Sequence, residues 1–511
     1  MIFSNRFSPS LLRVSLLAYC GAIRQLPLFA ALLAALATTQ PAAAAPPTSA
    51  QDLNARIARV ENGLCPPFAL QGQSAPTANI LQRMAELNVP GVSIAVINDG
   101  KIEWARGYGV VEAGSNRPVT TDTLFQAASI SKPVTAVGAL RLVEQGTLSL
   151  DEDVNKKLVG WKIPAGAQTA EAPVTLRNLL SHTAGTTVHG FAGYAAGQRV
   201  PSLIQVLHGA KPANSPPVRV DTLPNTMFRY SGGGYTIVQL LMTSTTGKDF
   251  TPLMNELVLG PIGMKSSTYE QPLPATLQAA AATAHDDAGR PIPGRWHTYP
   301  EQAAAGLWTT PSDLARFAIA LQDAAAGKSN TVISQAMARQ MLIQVKGEFG
   351  LGIIVRDVDG QRSFNHNGVN KGYQAHMYAL TDGGQGVVVM TNGDGGGDIA
   401  AAVLRSVAAE YGWKDLRPVE KPLVPVSDTT LARYDGMYQL GPMTVKVAHA
   451  NGRLLINAPT LGPRPREFFP SSDTAFFNLY DWLTVVFEKN EAGAFDATVY
   501  TWDKLKAKRI P

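Results

Sequence analysis

Two side chains three residues apart carry the first chemical signal in this chain: Ser129 and Lys132, in the run Ser129-Ile130-Ser131-Lys132. A serine hydroxyl is a weak nucleophile until its proton has an acceptor, and an amine one helical turn away can be that acceptor when it is uncharged. A free lysine, with a reference pKa of about 10.4, is uncharged well under one time in a hundred at neutral pH. The site must therefore lower that value by desolvation or by nearby positive charge. The chemistry implied is attack of the Ser129 hydroxyl on a carbonyl carbon, with a covalent acyl-serine as intermediate. Taken alone the spacing is weak, because composition produces roughly one or two such tetrapeptides in a chain this long.

Placement strengthens it. Pro133 to Gln145 has apolar residues at Val134, Val137, Leu140 and Val143, a helical period that stops at Gly146. Ser129 is therefore expected at a helix N-terminus, where free backbone N–H groups and partial positive charge face an oxygen that turns negative. Pro133 is tolerated there because the helix is only starting.

The elements around this helix follow an order of strands, helices and strands. Gly91 to Ile97 is an apolar run, Asn98-Asp99-Gly100 a turn, and Ile102 to Tyr108 a second strand-like segment, together a hairpin. Gly350 to Val355, Ala375 to Leu380 and Val387 to Thr391 read as later strands, separated by Asp359-Gly360 and Gly383-Gly384. Between them, Pro311 to Leu321 has a helical period, and after the last strand Gly395-Gly396-Gly397-Asp398 opens a helix containing Ala401 to Ala409. This order predicts one sheet built from both ends of a domain, packed against a helical layer. The long loop from Thr186 to Met227 could wall a cleft.

Five segments are expected: 1–45 a signal peptide, 46–75 a Pro- and Ala-rich spacer and N-terminal segment, 76–416 the catalytic domain, 417–425 a linker, and 426–511 a small all-β domain. Arg417 to Pro425 carries three prolines. Beyond it, Met443 to His449, Leu454 to Asn457, Trp482 to Lys489 and Ala497 to Trp502 read as strands, with Asn451-Gly452 a hairpin turn.

The first segment has Arg6, Arg13 and Arg24 without any acid, then the apolar run Leu26 to Ala37, then small residues up to Ala45. That run is shorter than the roughly 20 residues that span a bilayer. Cleavage near Ala45 is expected, leaving no stable membrane span and a periplasmic or secreted protein. An uncleaved anchor, or a lipid attached at Cys20 in Leu17-Ala18-Tyr19-Cys20, are the alternatives. Cleavage removes Cys20 and leaves Cys65 without a partner for an internal disulfide. It also lowers the formal charge from +5 to 5 − 3 = +2, which offers no case for nucleic-acid binding.

Two further segments join the Ser-x-x-Lys run: Tyr230-Ser231-Gly232-Gly233-Gly234-Tyr235 and His366-Asn367-Gly368, the latter placed just before a late strand. The three together resemble the penicillin-recognising serine hydrolases, whose pattern runs S-x-x-K, Y-x-N, then K-T-G or H-x-G. Leu179-Leu180-Ser181-His182-Thr183-Ala184-Gly185 and the stretch Ala304 to Leu314 are similar to the class C β-lactamase-related branch, which holds esterases, D-amino-acid peptidases and β-lactamases. The likeness covers about residues 80 to 410.

The resemblance implies an α/β (α+β) fold of the β-lactamase/transpeptidase type: an antiparallel sheet flanked by helices, plus a helical subdomain. The C-terminal segment is similar to the lipocalin-like appendage of some relatives. By the same resemblance Ser129 is the nucleophile, Lys132 its partner in proton transfer, and Tyr230 a second base or proton relay, its phenol pKa lowered beside a lysine cation. His366 takes the basic position of the third motif, Gly368 lets substrate backbone lie close to the strand, and the N–H groups of Ser129 and Val369 form the oxyanion hole. Two departures bear on substrate. Gly232 stands where the pattern has Asn, a side-chain amide that holds the substrate's amide arm in β-lactamases, and Asn367 stands where it has Thr.

The expectation is a cofactor-free, metal-free hydrolase acting on small-molecule esters, amides or D-amino-acid peptides. A true β-lactamase, and a sensor or binding protein acylated without turnover, remain open. There is no G-x-S-x-G elbow. Ala326-Gly327-Lys328-Ser329 imitates the end of a phosphate loop, but Gln322 stands where its first glycine belongs. His285-Asp286-Asp287 and His297 lack metal-ligand spacing and read as loop residues. His182 is expected to position its loop, His189 to line the cleft, and Cys65 to be a structural thiol.

Overall fold

The computed structural model describes residues 50–458, 465–491, 493–500 and 504–510. The expected signal peptide, with Cys20 and the cleavage point near Ala45, lies outside the described residues.

Six strands form the central sheet: β1 Gly91–Asn98, β2 Lys101–Gly109, β3 Ile354–Val358, β4 Gln361–Asn370, β5 Tyr373–Leu380 and β6 Gly386–Thr391. Their order is β2-β1-β6-β5-β4-β3, and every neighbouring pair is antiparallel. The hairpin turn joining β1 to β2 places Asp99 and Gly100 at φ of 51° and 69°, the left-handed conformation that a tight hairpin needs. β1 is buried along all but its last residue, and its side chains alternate between two cores. Ala95 and Ile97 enter a large core shared with the helical layer, whereas Val92, Ile94 and Val96 enter a second core on the opposite face.

Helix α1 (Ala50–Asn62) and helix α5 (Gly396–Glu410) cover that second face. On the other face lie α2 (Ser131–Glu144), α3 (Gly232–Thr246) and α4 (Pro311–Ala326). α2 and α3 are buried along most of their lengths, because helices packed inside a layer bury more than one stripe. α4 starts with Thr310 accepting from the Asp313 N–H, has Pro at its first turn, and ends at Gly327 with φ of 74°. The phosphate-loop imitation at Ala326 to Ser329 is thus the end of a helix, not the start of one.

Two strand readings change. Residues 350–353 form a bend against α2, where a Cβ on Gly352 would lie 2.5 Å from that of Ala136, and the strand begins only at Ile354. His366-Asn367-Gly368 sits inside β4 rather than before a strand. Polar residues dominate β4, so it lacks the apolar run that marks its neighbours.

At the C-terminal end, eight strands between Gly436 and Ile510 form a closed antiparallel barrel, the first pairing with the last through Tyr438 and Arg509. Tyr434, Tyr438, Phe476 and Phe487 fill its core. Within the expected linker, Val419–Lys421 pairs in parallel with Phe68–Leu70. Phe68 in turn meets Phe477 and Trp482 of the barrel at ring separations of 6.4 and 4.6 Å. No helix among the described residues is long and apolar enough to cross a membrane.

Candidate active site

Ser129 lies in a short 3-10 turn, Ala128–Ile130, that runs directly into α2. Ala128 holds φ of 48°, a left-handed conformation that costs a non-glycine residue about 1 to 3 kcal/mol and persists only where the surroundings impose it. Ser131 does so from a fully buried position. Its hydroxyl donates to the Ala128 carbonyl at 2.5 Å and accepts from the Leu307 N–H at 3.0 Å, while the Ala127 N–H donates to the Leu307 carbonyl at 2.8 Å. The turn that carries Ser129 is clamped to the segment that precedes α4.

Lys132 points back to Ser129 from the first turn of α2. Its Nζ is 3.0 Å from the Ser129 Oγ and donates to the Ala304 carbonyl at 2.7 Å. Burial lowers the amine's pKa from its ordinary 10.5 to about 7, because no solvent stabilises the cation. A neutral amine still has hydrogens for the Ala304 carbonyl, which leaves its lone pair for the Ser129 proton.

Tyr230 reaches the same place from the residue before the cap of α3, hydrogen-bonded to the Ser129 side chain, with its ring 5.0 Å from the Lys132 Nζ. Ser231 fixes that approach: its hydroxyl accepts from the Gly234 N–H at 3.0 Å and donates to the Thr187 carbonyl at 2.6 Å. The expected lowering of the phenol's pKa is reversed. Burial raises it, opposed only by the hydrogen bond to Ser129, so Tyr230 holds its proton.

His182 supports Tyr230 from behind, ring on ring at 4.3 Å, and its Nδ1 accepts from the Ser231 N–H at 3.1 Å. The proton therefore sits on Nε2, which has no partner. His182 positions its loop and the tyrosine, in line with its expected role.

His366 is buried on β4, its ring 6.2 Å from that of Tyr230. Its Nδ1 lies 2.6 Å from the Asn367 carbonyl, which can only accept, so Nδ1 carries the proton and Nε2 is left as an unpartnered lone pair. Burial, and then the neighbouring Lys132, lower its pKa to about 3. The residue at the basic position of the third motif is thus a neutral imidazole.

Strand alternation decides what the rest of β4 presents. His366, Gly368 and Asn370 are buried on one face, and Asn367 and Val369 are exposed on the other. Asn367 and Val369 can thus offer Ser129 only their backbone. A Cβ on Gly368 would lie 2.1 Å from the Ala127 carbonyl oxygen and 3.1 Å from the Ala128 Cβ. The glycine makes room for the protein's own Ala128–Ile130 turn. Asn370 fastens the strand by donating to the Gln126 amide oxygen at 2.7 Å and the Ala305 carbonyl at 3.1 Å.

Sequence reasoning missed Ser131, whose signal was its place on the inward face of α2. The stretch Ala304 to Leu314 was marked by its family likeness, but not the contacts its backbone makes, the Ala304 carbonyl to Lys132 and the Leu307 N–H to Ser131. Residues left out of the chemistry have structural partners. His285 bonds the Asn392 carbonyl and the Ala113 N–H, and His297 the Ala192 carbonyl. Cys65 is buried, which raises its thiol pKa. Among the described residues no group of three or more His, Cys, Asp or Glu could hold a metal ion.

Residues 77–410 match the family model described as Beta-lactamase. Penicillin-binding protein 4 of Amycolatopsis lactamdurans is 27% identical over 374 residues, covering 69% of this chain and 94% of that protein. The D-alanyl-D-alanine-carboxypeptidase/endopeptidase AmpH of Escherichia coli strain K12 is 25% identical over 307 residues, covering 60% of this chain and 74% of that protein. Among solved structures, the octameric penicillin-binding protein homologue from Pyrococcus abyssi superposes with a TM-score of 0.59 at 22% identity, covering 84% of this chain and 98% of that one.

Proposed function

Because the chain belongs to the beta-lactamase family of serine hydrolases, we propose that it works through an acyl-enzyme on Ser129 and acts on small esters, amides or D-amino-acid peptides. The observation that carries this reading is the buried Lys132 amine 3.0 Å from the Ser129 hydroxyl, its pKa lowered to about 7. Neutral Lys132 takes the hydroxyl proton as the Oγ–carbon bond forms, and the backbone N–H groups of Ser129 and Val369 receive the oxyanion. The proton then passes to the leaving oxygen or nitrogen, with the Tyr230 phenol as relay, and the carbon–leaving-group bond breaks. Water, deprotonated by the same amine, releases the acid and restores the serine.

The peptide arm of the substrate range draws support from the AmpH relative, whose name states a carboxypeptidase and endopeptidase activity. A dedicated β-lactamase is less well supported, because Gly232 offers no amide and Asn367 faces away from the nucleophile. The N-terminal 45 residues direct export to the periplasm or the exterior and are removed. Residues 76–416 form the catalytic domain, 417–425 its connection, and 426–511 the appended β domain.

The test is turnover of three substrates by purified protein: a chromogenic butyrate ester, a chromogenic cephalosporin and a D-alanyl anilide. Sustained product from the ester or the anilide, lost in Ser129→Ala, supports the reading. Sustained turnover of the cephalosporin alone would favour the β-lactamase. A persistent acyl adduct without product would make the protein a sensor.

A further inference from the structure

Aromatic rings pack around Tyr230. Phe349 lies among three groups of the site, with ring separations of 5.1 Å to His182, 6.1 Å to Tyr230 and 6.2 Å to His366. Phe228 stacks on Phe349 at 4.8 Å and 29°. Phe191 fills the space beside Gly232: a Cβ there would lie 3.0 Å from the Phe191 ring and 3.2 Å from the His189 carbonyl. No side-chain amide fits at Gly232 while Phe191 holds that place.

The apolar surface continues outward. Met227 precedes Phe228 in the chain, and Val345 and Ile343 precede Phe349 by a few residues; all three are exposed. Lys346 joins these two loops by donating to the Asn225 carbonyl at 2.9 Å. The charged groups beside this surface are engaged: Glu348, next to Phe349, accepts from the Arg356 guanidinium at 3.1 Å. The Arg229 guanidinium pairs with Asp221 at 2.5 Å and donates to the Gly185 and Thr186 carbonyls, and the Lys132 amine faces Ser129 and Ala304. His366 is neutral at physiological pH.

From this geometry we propose that the site selects an uncharged, apolar acyl chain, which leaves the carbonyl at Ser129 and lies along the half-buried Phe228, backed by the buried Phe349, and against Phe191 beside Gly232. The proposal rests on the acyl-enzyme reading and narrows it: medium-chain apolar esters are preferred to substrates whose acyl part ends in a carboxylate. Apolar contact gives the preference, because each methylene buried against the rings leaves water.

The experiment is kcat/KM for p-nitrophenyl acetate, butyrate and octanoate, and for p-nitrophenyl hydrogen succinate, whose acyl part matches butyrate in length but ends in a carboxylate. Wild-type protein should favour octanoate over acetate by about tenfold or more, and butyrate over succinate by roughly a hundredfold. In Phe228→Ala and in Phe191→Ala, each with thermal melting checked, the octanoate-to-acetate ratio should fall by about tenfold. A flat or falling chain-length series in the wild type, equal use of the succinate, or an unchanged ratio in both variants would overturn the proposal. A fluorophosphonate that labels Ser129 separates the two levels. Labelling with a flat series defeats the chain preference alone, whereas absent labelling removes the acyl-enzyme reading and the proposal with it.

Discussion

The Lys132 amine stands 3.0 Å from the Ser129 hydroxyl and 2.7 Å from the Ala304 carbonyl, with no carboxylate among the described residues as partner. A carboxylate would hold it as a cation, whereas burial beside a neutral carbonyl favours the free base. The pH dependence follows. With a pKa of about 7, the competent neutral form grows as pH rises, so kcat/KM should climb about tenfold per unit below 7 and level off above it. His366, neutral well below that point, contributes no limb there. A pH–rate profile checks this, and His366→Gln should keep the midpoint. A midpoint that moves with His366 would give the proton transfer to the wrong residue.

Tyr230 enters as a phenol, not a phenolate, because burial raises its pKa. In the proposed mechanism it donates toward the leaving group. Tyr230→Phe keeps the ring on His182 and removes only the hydroxyl. Loss of about 10² to 10³ in kcat, measured on an amide or anilide with a poor leaving group, is expected. The loss should be smaller on a p-nitrophenyl ester, whose leaving group needs no proton.

Gly368 sets the distance between β4 and the turn that carries Ser129. In Gly368→Ala the added methyl meets the Ala127 carbonyl, and the 128–130 turn must shift. A displacement of an ångström at the nucleophile costs about a hundredfold in rate. Circular dichroism and melting should show a folded protein that has lost that much activity.

Glu301 is a buried carboxyl whose two oxygens have no partner, and burial raises its pKa from 4.5 to about 8. Between those values the unfolded chain gives up this proton while the folded chain keeps it, so stability falls as pH rises through the window. Glu301→Gln removes the titration. Denaturant melts from pH 4 to pH 8 should show the variant gaining on the wild type by on the order of 3 kcal/mol. A constant difference across that range would show that Glu301 does not titrate in the fold.

Local features were legible in the sequence and distant ones were not. Ser129 and Lys132 share a turn, so spacing alone set them side by side, and Asp99-Gly100 marked its hairpin by conformation. The convergence of Tyr230 and His366 on that turn was supplied by a family pattern, because no periodicity links residues a hundred positions apart. β4 was hidden by its polar run, which is inward-facing at His366, Gly368 and Asn370 for reasons of packing and hydrogen bonding rather than hydropathy. The last barrel strand, Lys504–Ile510, was hidden likewise, as four of its seven residues are Lys or Arg and Ala507 is the one fully buried. Only pairing with both neighbouring strands reveals it.

The acyl-enzyme is tested most directly by mixing the protein with a p-nitrophenyl ester, quenching in acid within milliseconds, and mapping the added mass by peptide sequencing. An acyl group on Ser129, absent from Ser129→Ala and formed more slowly by orders of magnitude in Lys132→Ala, is the predicted result. Turnover at the normal rate with no adduct on Ser129, or with the adduct on another residue, would contradict the account.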